Sequence, residues 1–161
     1  MSLHVAAVDL YDPVQAAIWL DLLDHYARDP MGGGEGLSDY AKLNLVHTIR
    51  QVPGFHGALA WLDGEAVGLI DCFAGFSTFA AKPLLNVHDI VVHEDFRRQG
   101  IARALLAHVE AMARQRGCCK LTLEVLEGNL GARRAYLEFG FEGYQLDPAM
   151  GQALFFEKKL G

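Results

Sequence analysis

Covalent and metal cross-links have little to work with in this chain of 161 residues. Its three cysteines, Cys72 and the adjacent Cys118 and Cys119, make no disulfide framework. They read as small buried hydrophobes of a reducing cytoplasm. The seven histidines, at positions 4, 25, 47, 56, 88, 93 and 108, show no paired ligand spacing, so no metal site is expected. Apolar residues make up 52% of the chain, yet no run approaches the roughly 18 residues of a membrane span. The N-terminus has no basic stretch followed by an apolar one, which argues against a secretory signal and for a cytoplasmic location. Basic residues are also in short supply, 14 Lys and Arg against 20 Asp and Glu, giving a net charge of −6. That balance excludes a general nucleic-acid binder, whose affinity comes mostly from neutralising phosphates. It suits a cationic partner.

With no repeat, linker or low-complexity tract, residues 1–161 read as a single domain able to bury a core. Residues 3–8 form a short strand. Asp12-Pro13 opens a helix that carries Ile18, Leu22 and Tyr26 on one face and ends near Arg28. Asp29 to Gly34, with three consecutive glycines, makes a mobile or tightly turned loop. No Gly-Lys-Ser/Thr follows, so it is not a nucleotide P-loop. A second helix is predicted over 38–51. Strands follow at 55–62 and 66–79, joined at Asp63-Gly64, and at 84–92 after Lys82-Pro83. The apolar positions Ile101, Ala104, Leu105, Val109 and Met112 have helical spacing, with Gly117 placed to end the helix. Residues 121–125 form a strand, and Asn129 caps a helix running to Phe139. Residues 141–146 and 153–159 supply two last strands.

The fold class is therefore α/β, with a mixed sheet of about six to seven strands flanked by about four helices. The order is β-α-α-β-β-β-α-β-α-β-β. The unit spanning 86–125 should be a parallel β-α-β crossover, whose turn lies where open α/β sheets place ligands.

Two signatures stand at fixed spacing in the second half. The first is Arg97-Arg98-Gln99-Gly100-Ile101-Ala102, between the apolar run Ile90-Val91-Val92 and a long amphipathic helix. A basic, glycine-containing turn from strand to helix offers unpaired backbone N–H groups to a phosphate, helped by the helix dipole and by Arg97, Arg98 and Arg103. The second is Asn129, Ala132, Tyr136 and Gly140-Phe141. Asn129 and Tyr136 are two helical turns apart and project from nearly the same face. On its own Tyr136 could equally be a core aromatic in the stripe Ala132, Ala135, Tyr136 and Phe139.

Together the two signatures resemble the GCN5-related N-acetyltransferase (GNAT) family position for position over residues 86–141, with Ala102 where the family often has glycine. The resemblance implies an acetyl-CoA-dependent N-acetyltransferase with a GNAT-like fold. Ile90, Val91 and Val92 would pair with the pantetheine arm and polarise the thioester carbonyl. Arg97, Arg98, Gln99, Gly100, Ile101, Ala102 and Arg103 would hold the CoA pyrophosphate, Asn129 would touch the cofactor arm, and Tyr136 would protonate the departing thiolate. An alkylamine acceptor, with pKa about 10.4, costs about 4 kcal/mol to deprotonate at pH 7, so some group or water chain must take its proton. Glu124 matches the base of ribosomal-protein N-terminal acetyltransferases. His88, on the strand face of Asn86, matches histidines of arylalkylamine acetyltransferases. Asp89 should point away from His88 as a structural partner. Tyr26, Asp29, Met31 and Glu35 fall in the region that shapes the acceptor pocket of the family. The acceptor would be a small-molecule or peptide amine, and a homodimer is a family-level expectation. Two other classes stay open, a non-catalytic acyl-CoA sensor and a dinucleotide oxidoreductase, the latter disfavoured by a turn with one glycine.

Overall fold

The computed structural model describes residues 2–144 and 147–161. Its elements run β1 (Leu3–Ala7), α1 (Pro13–Arg28), α2 (Asp39–Ile49), β2 (Phe55–Leu62), β3 (Glu65–Ser77), β4 (Lys82–Val92), α3 (Ile101–Gln115), β5 (Leu121–Leu123) and α4 (Leu130–Phe139). The five strands form one sheet in chain order. The first four are antiparallel to one another and β5 is parallel to β4, as the crossover predicted. Local chemistry explains most boundaries. Asp12 accepts the Val14 N–H at 2.9 Å ahead of Pro13, and Asp63 and Gly64 take positive φ angles of 52° and 85° to close the β2–β3 hairpin.

Each face of the sheet carries a core. Against one face α3 buries Ile101, Leu105, Leu106, Val109 and Ala113 over Ile70, Leu85 and Val87, joined by Tyr136 of α4. Against the other, α1 buries Trp19 and Leu22 over Leu59, Leu69 and Val91. Burial of each such side chain is worth about 1.5–3 kcal/mol. The cleft described below opens where β4, sandwiched between these cores, meets the ends of α1, α3 and α4.

Several expectations need correction. The sheet has five strands among the described residues, not six or seven. Residues 141–144 have no regular structure, Gln145 and Leu146 lie outside the described residues, and 153–159 form no strand. Among the described residues the two segments share a single backbone hydrogen bond, from the Ala153 N–H to the Tyr144 carbonyl at 3.2 Å. Apolar alternation supplies propensity, but a strand needs a ladder of partners. The fifth strand stops at Leu123, so Glu124 sits past its end. Pro83 falls inside β4, near its first residue, where a missing N–H is tolerated. Cys119 is exposed and Cys118 half-buried, and both lie in the connection before β5; only Cys72 is the buried hydrophobe expected.

Candidate active site

The basic turn is held in a shape the sequence could only suggest. After β4 a short helical turn covers Glu94–Phe96, and the chain then curls through two left-handed residues, Arg98 at φ 63° and Gly100 at φ 79°. Glycine takes that conformation freely; an arginine does so only where its surroundings impose it. Gly100 is the N-cap of α3, and among the described residues no side chain caps the helix's first turn. These donors are left free for an anion. At the start of α4, by contrast, Asn129 accepts the Ala132 N–H at 3.3 Å and serves as its own cap.

Between these helix starts lies a cleft of about 850 Å³. Of the expected cofactor residues, Ile90, Val91, Val92, Arg97, Arg98, Gly100, Ile101, Ala102, Arg103, Asn129 and Tyr136 line it; Gln99 is exposed and does not. Of the expected acceptor residues, Tyr26, Asp29 and Met31 line it, while Glu35 points to solvent. The glycine-rich loop is a tight turn. Asp29 accepts the Met31 N–H at 2.9 Å through its side chain, and the Gly32 and Gly34 N–H groups at 2.8 and 3.0 Å through its carbonyl. A Cβ on Gly32 would stand 2.0 Å from the Tyr26 carbonyl oxygen, so only glycine lets the loop approach α1 this closely. Asp24, 6% exposed, secures the far end by accepting the Leu37 N–H at 2.8 Å and pairing with Arg28. The Arg28 hydrogen bond first, then that of Leu37, hold its carboxyl below the usual range.

Neither expected base reaches the cleft lining. Glu124 is exposed beyond β5. His88 is the extra residue of a β-bulge: Asp71 pairs with Asp89 and Cys72 with Val87, leaving His88 without a cross-strand partner. A bulge breaks the two-residue alternation that put His88 beside Asn86. His88 is exposed, its ring edge-on to Phe73 with centroids 5.3 Å apart, and Asn86 instead donates to Thr122 Oγ1 at 2.9 Å. Asp89 does prove to be a partner, to Asp71 across the strands.

Tyr136 is 9% exposed and packs edge-on against Phe141, centroids 6.0 Å apart. Burial, with a smaller contribution from nearby Tyr26, pushes its phenol up to about 12. It therefore keeps its proton throughout the physiological range. Across the cleft mouth Arg97 reaches Asp29 at 3.4 Å, linking the basic turn to the glycine-rich loop.

The acetyltransferase (GNAT) family profile matches residues 19–141 of the chain. The chain belongs to this family. An N-acetyltransferase of Archaeoglobus fulgidus is 32% identical over 127 residues, which span 72% of this chain and 84% of that protein. Streptothricin acetyltransferase of Streptomyces lavendulae is 39% identical over 90 residues, 56% of this chain and 46% of the relative. Thialysine N-epsilon-acetyltransferase of Caenorhabditis elegans is 31% identical, over half of each chain. The match thus spans about half the length of these last two relatives. Among solved structures, an aminoglycoside acetyltransferase, meta-AAC0020 in complex with sisomicin, superposes with a TM-score of 0.78 at 16% identity, over 99% of this chain and 97% of that one. AAC(6')-Iy bound to a CoA-linked bisubstrate analogue gives 0.76 at 20% identity, over 99% and 100%. At these identities the likeness is one of fold.

The GNAT signatures pointed to one wall of the cleft and missed the other. His25, Gly131, Arg134, Ala135 and Glu138 also line it. The last four follow i, i+3, i+4, i+7 spacing on α4, beside the Ala132–Tyr136–Phe139 stripe, which lines the cleft and also packs on the core. Helical spacing could have exposed that second stripe. Nothing in the sequence marked His25, whose ring stacks on His93 with centroids 4.5 Å apart.

Proposed function

We propose that the chain is a cytoplasmic, single-domain N-acetyltransferase that moves the acetyl group of acetyl-CoA to a primary amine by direct attack in a ternary complex. The observation that carries this reading is the shared cleft. The uncapped N-terminus of α3 with Arg97, Arg98 and Arg103, the Tyr136 side chain, and Tyr26, Asp29 and Met31 all line it. The basic turn suits a pyrophosphate, and the Ile90–Val92 backbone, past the last β5 partner at Val87, suits an amide-bearing arm, so the residues present fit CoA. Acetyl-CoA brings an activated thioester. The chain's part is to anchor the diphosphate, hold the acetyl group against the β4 backbone, and donate a proton from the Tyr136 hydroxyl to the leaving sulfur.

A small-molecule amine is the favoured acceptor. Tyr26, Asp29 and Met31 give the acceptor side a carboxylate and apolar surface, and Glu138 adds a second carboxylate to the cleft, which suits an ammonium on a compact scaffold. The relatives named above include a streptothricin acetyltransferase and a thialysine N-epsilon-acetyltransferase, and a solved structure of like fold is an aminoglycoside acetyltransferase in complex with sisomicin. A homodimer would cover Leu154, Phe155 and Phe156, exposed at 77, 72 and 85%. Light scattering on the full chain should then give twice the monomer mass, and a monomer mass would remove the dimer.

The test of function is CoA thiol release from acetyl-CoA with a panel of aminoglycosides, streptothricin, thialysine, aminoalkylphosphonates, polyamines, arylalkylamines and N-terminal or lysine peptides. Amine-dependent release establishes the transferase and its acceptor class. Binding of acetyl-CoA without release from any amine would move the assignment to an acyl-CoA sensor.

A further inference from the structure

A second cavity, of about 530 Å³, opens on the α1 side of the sheet beside the β2–β3 hairpin. Asp21 and Arg28 of α1, Trp61 of β2, Glu65 of β3 and His93 are among its walls. Among the described residues His25 alone lines both this cavity and the cleft. The reaction as described leaves it without a role. His25 is half-buried in the last turn of α1, and its ring lies on that of His93, centroids 4.5 Å apart and planes 13° from parallel. His93 is the first residue past β4, next to Val92, so the stack fixes His25 beside the strand end assigned to the acetyl group. His93 is itself held. Its backbone N–H donates to the Val67 carbonyl at 2.8 Å, its Nδ1 accepts the Asp95 N–H at 3.3 Å, and Phe96 meets its ring edge-on.

Parallel rings aim no nitrogen at each other, so the stack orients His25 without occupying either of its nitrogens. Among the described residues the only histidine rings in hydrogen bonds are those of His47 and His93, which leaves both His25 nitrogens free. One ring edge can therefore meet the cleft while the other meets the second cavity. An imidazole is the side chain suited to exchanging a proton near neutral pH. We propose that His25 takes the proton released by the acceptor ammonium and passes it to solvent through the second cavity, with His93 as its positioning residue. This rests on the acetyltransferase function proposed above. The step balances. The R–NH3+ group gives one proton to His25, and the freed lone pair forms the C–N bond to the acetyl carbon as the C–S bond breaks. Tyr136 gives its proton to the sulfur and recovers one from the nitrogen that becomes the amide. The imidazolium then releases the single net proton of the reaction to water in the second cavity.

The charges around His25 suit a transient cation. Asp21 stands one turn before it on α1 and Asp29 one turn after it, with Glu65 on β3 and Asp95 beyond β4. Tyr26, its neighbour on α1, lines the cleft as a phenol that burial pushes up. The two nearby arginines are already matched, Arg28 by Asp24 and Arg97 by Asp29. From α2, Lys42 lies 3.9 Å from the same Asp24. The C-terminal turn of a helix also favours positive charge. The buried partners Asp71 and Asp89, whose carboxyls burial pushes above their ordinary range, line neither cavity.

Two variants test this. His25→Phe keeps a ring on His93 and removes the proton acceptor, while His25→Ala leaves room for added imidazole. With the panel amine that turns over fastest, His25→Phe should lower kcat/KM by about a hundredfold or more. It should also abolish the acid limb of the pH profile and leave acetyl-CoA affinity by calorimetry unchanged. In the wild type that limb should coincide with the titration of the His25 ring followed by NMR. In His25→Ala, free imidazole should restore turnover in proportion to its concentration. A folded His25→Phe that keeps the acid limb overturns the proposal, as does a slow His25→Ala that imidazole does not rescue. If His25→Phe fails to fold, the rescue and the NMR titration decide alone. A wild type that binds acetyl-CoA but acetylates no panel amine overturns the proton-acceptor role. A wild type that does not bind acetyl-CoA overturns the function beneath it.

Discussion

Replacing Tyr136 with Phe removes one hydroxyl and leaves the ring where it packs against Phe141. Because the side chain is 9% exposed, the phenylalanine fills the same space and the fold should be retained. The catalytic consequence should be large. A positioned general acid contributes about 10²–10⁴ in rate, or about 3–5 kcal/mol of the barrier. So kcat should fall by that factor while acetyl-CoA affinity, measured by calorimetry, stays within about threefold. Burial makes the pH dependence distinctive. Raising the phenol from its ordinary 10.0 to about 12 makes its ionisation in the site about 3 kcal/mol harder. The wild type should therefore show no falling limb in kcat from this residue below about pH 11. Stability gives an independent check. The unfolded phenol ionises near 10 and the folded one near 12, so the unfolded state binds fewer protons in that window. Wild-type stability falls as pH rises through it, and Tyr136→Phe should lose less. A variant that keeps kcat within threefold of wild type would refute Tyr136 as the proton donor.

Further outcomes follow from the same geometry. Asp24→Ala strands the Leu37 N–H and Arg28, and should cost about 1–3 kcal/mol of unfolding free energy in a denaturant titration. The Asp24 carboxyl is held low in the fold, so its contribution is present above its ordinary 3.8 and is lost as pH falls further; a mutant equally unstable relative to wild type at pH 2 and 7 would contradict this. Asp71 has the opposite sign. Its raised carboxyl favours the fold at acid pH and opposes it as pH rises, so Asp71→Asn should melt higher than wild type at pH 8, by about 2–4 °C for each kcal/mol gained. Asp29→Asn releases Arg97, so acetyl-CoA should bind no more weakly while KM for a cationic acceptor rises; weaker acetyl-CoA binding would show that the ion pair builds the phosphate site instead of competing with it. Gly32→Ala should displace the acceptor loop and raise acceptor KM, with the acetyl-CoA dissociation constant unchanged.

Much of the molecule could be read from local chemistry. Asp12-Pro13, Asp63-Gly64, Gly100, Asn129 and Gly140 each demand a particular backbone shape or satisfy a particular N–H, and they punctuate the chain where the elements begin and end. The strand-turn-helix at 90–103 was legible for the same reason, since small and basic residues at a helix start have a direct physical purpose. The two last strands were not, because alternating apolar residues state a propensity and only a neighbouring strand can realise it.

What the amino-acid order determined by itself was therefore the one-dimensional part: most element boundaries, the basic glycine-containing turn, and the helix that carries Asn129 and Tyr136. Tertiary structure decided what depends on contacts distant in sequence. It set a one-residue bulge opposite Asp71, which sent His88 to solvent and brought Asp89 into register with a second acid 18 positions away in the chain. It folded the loop after α1 over the phosphate turn, so that Asp29 meets Arg97 at 3.4 Å across 68 positions. Periodicity within a strand or helix encodes which way a side chain points. Whether two acids come to face each other depends on the register between strands, and register is set by packing on both faces of the sheet.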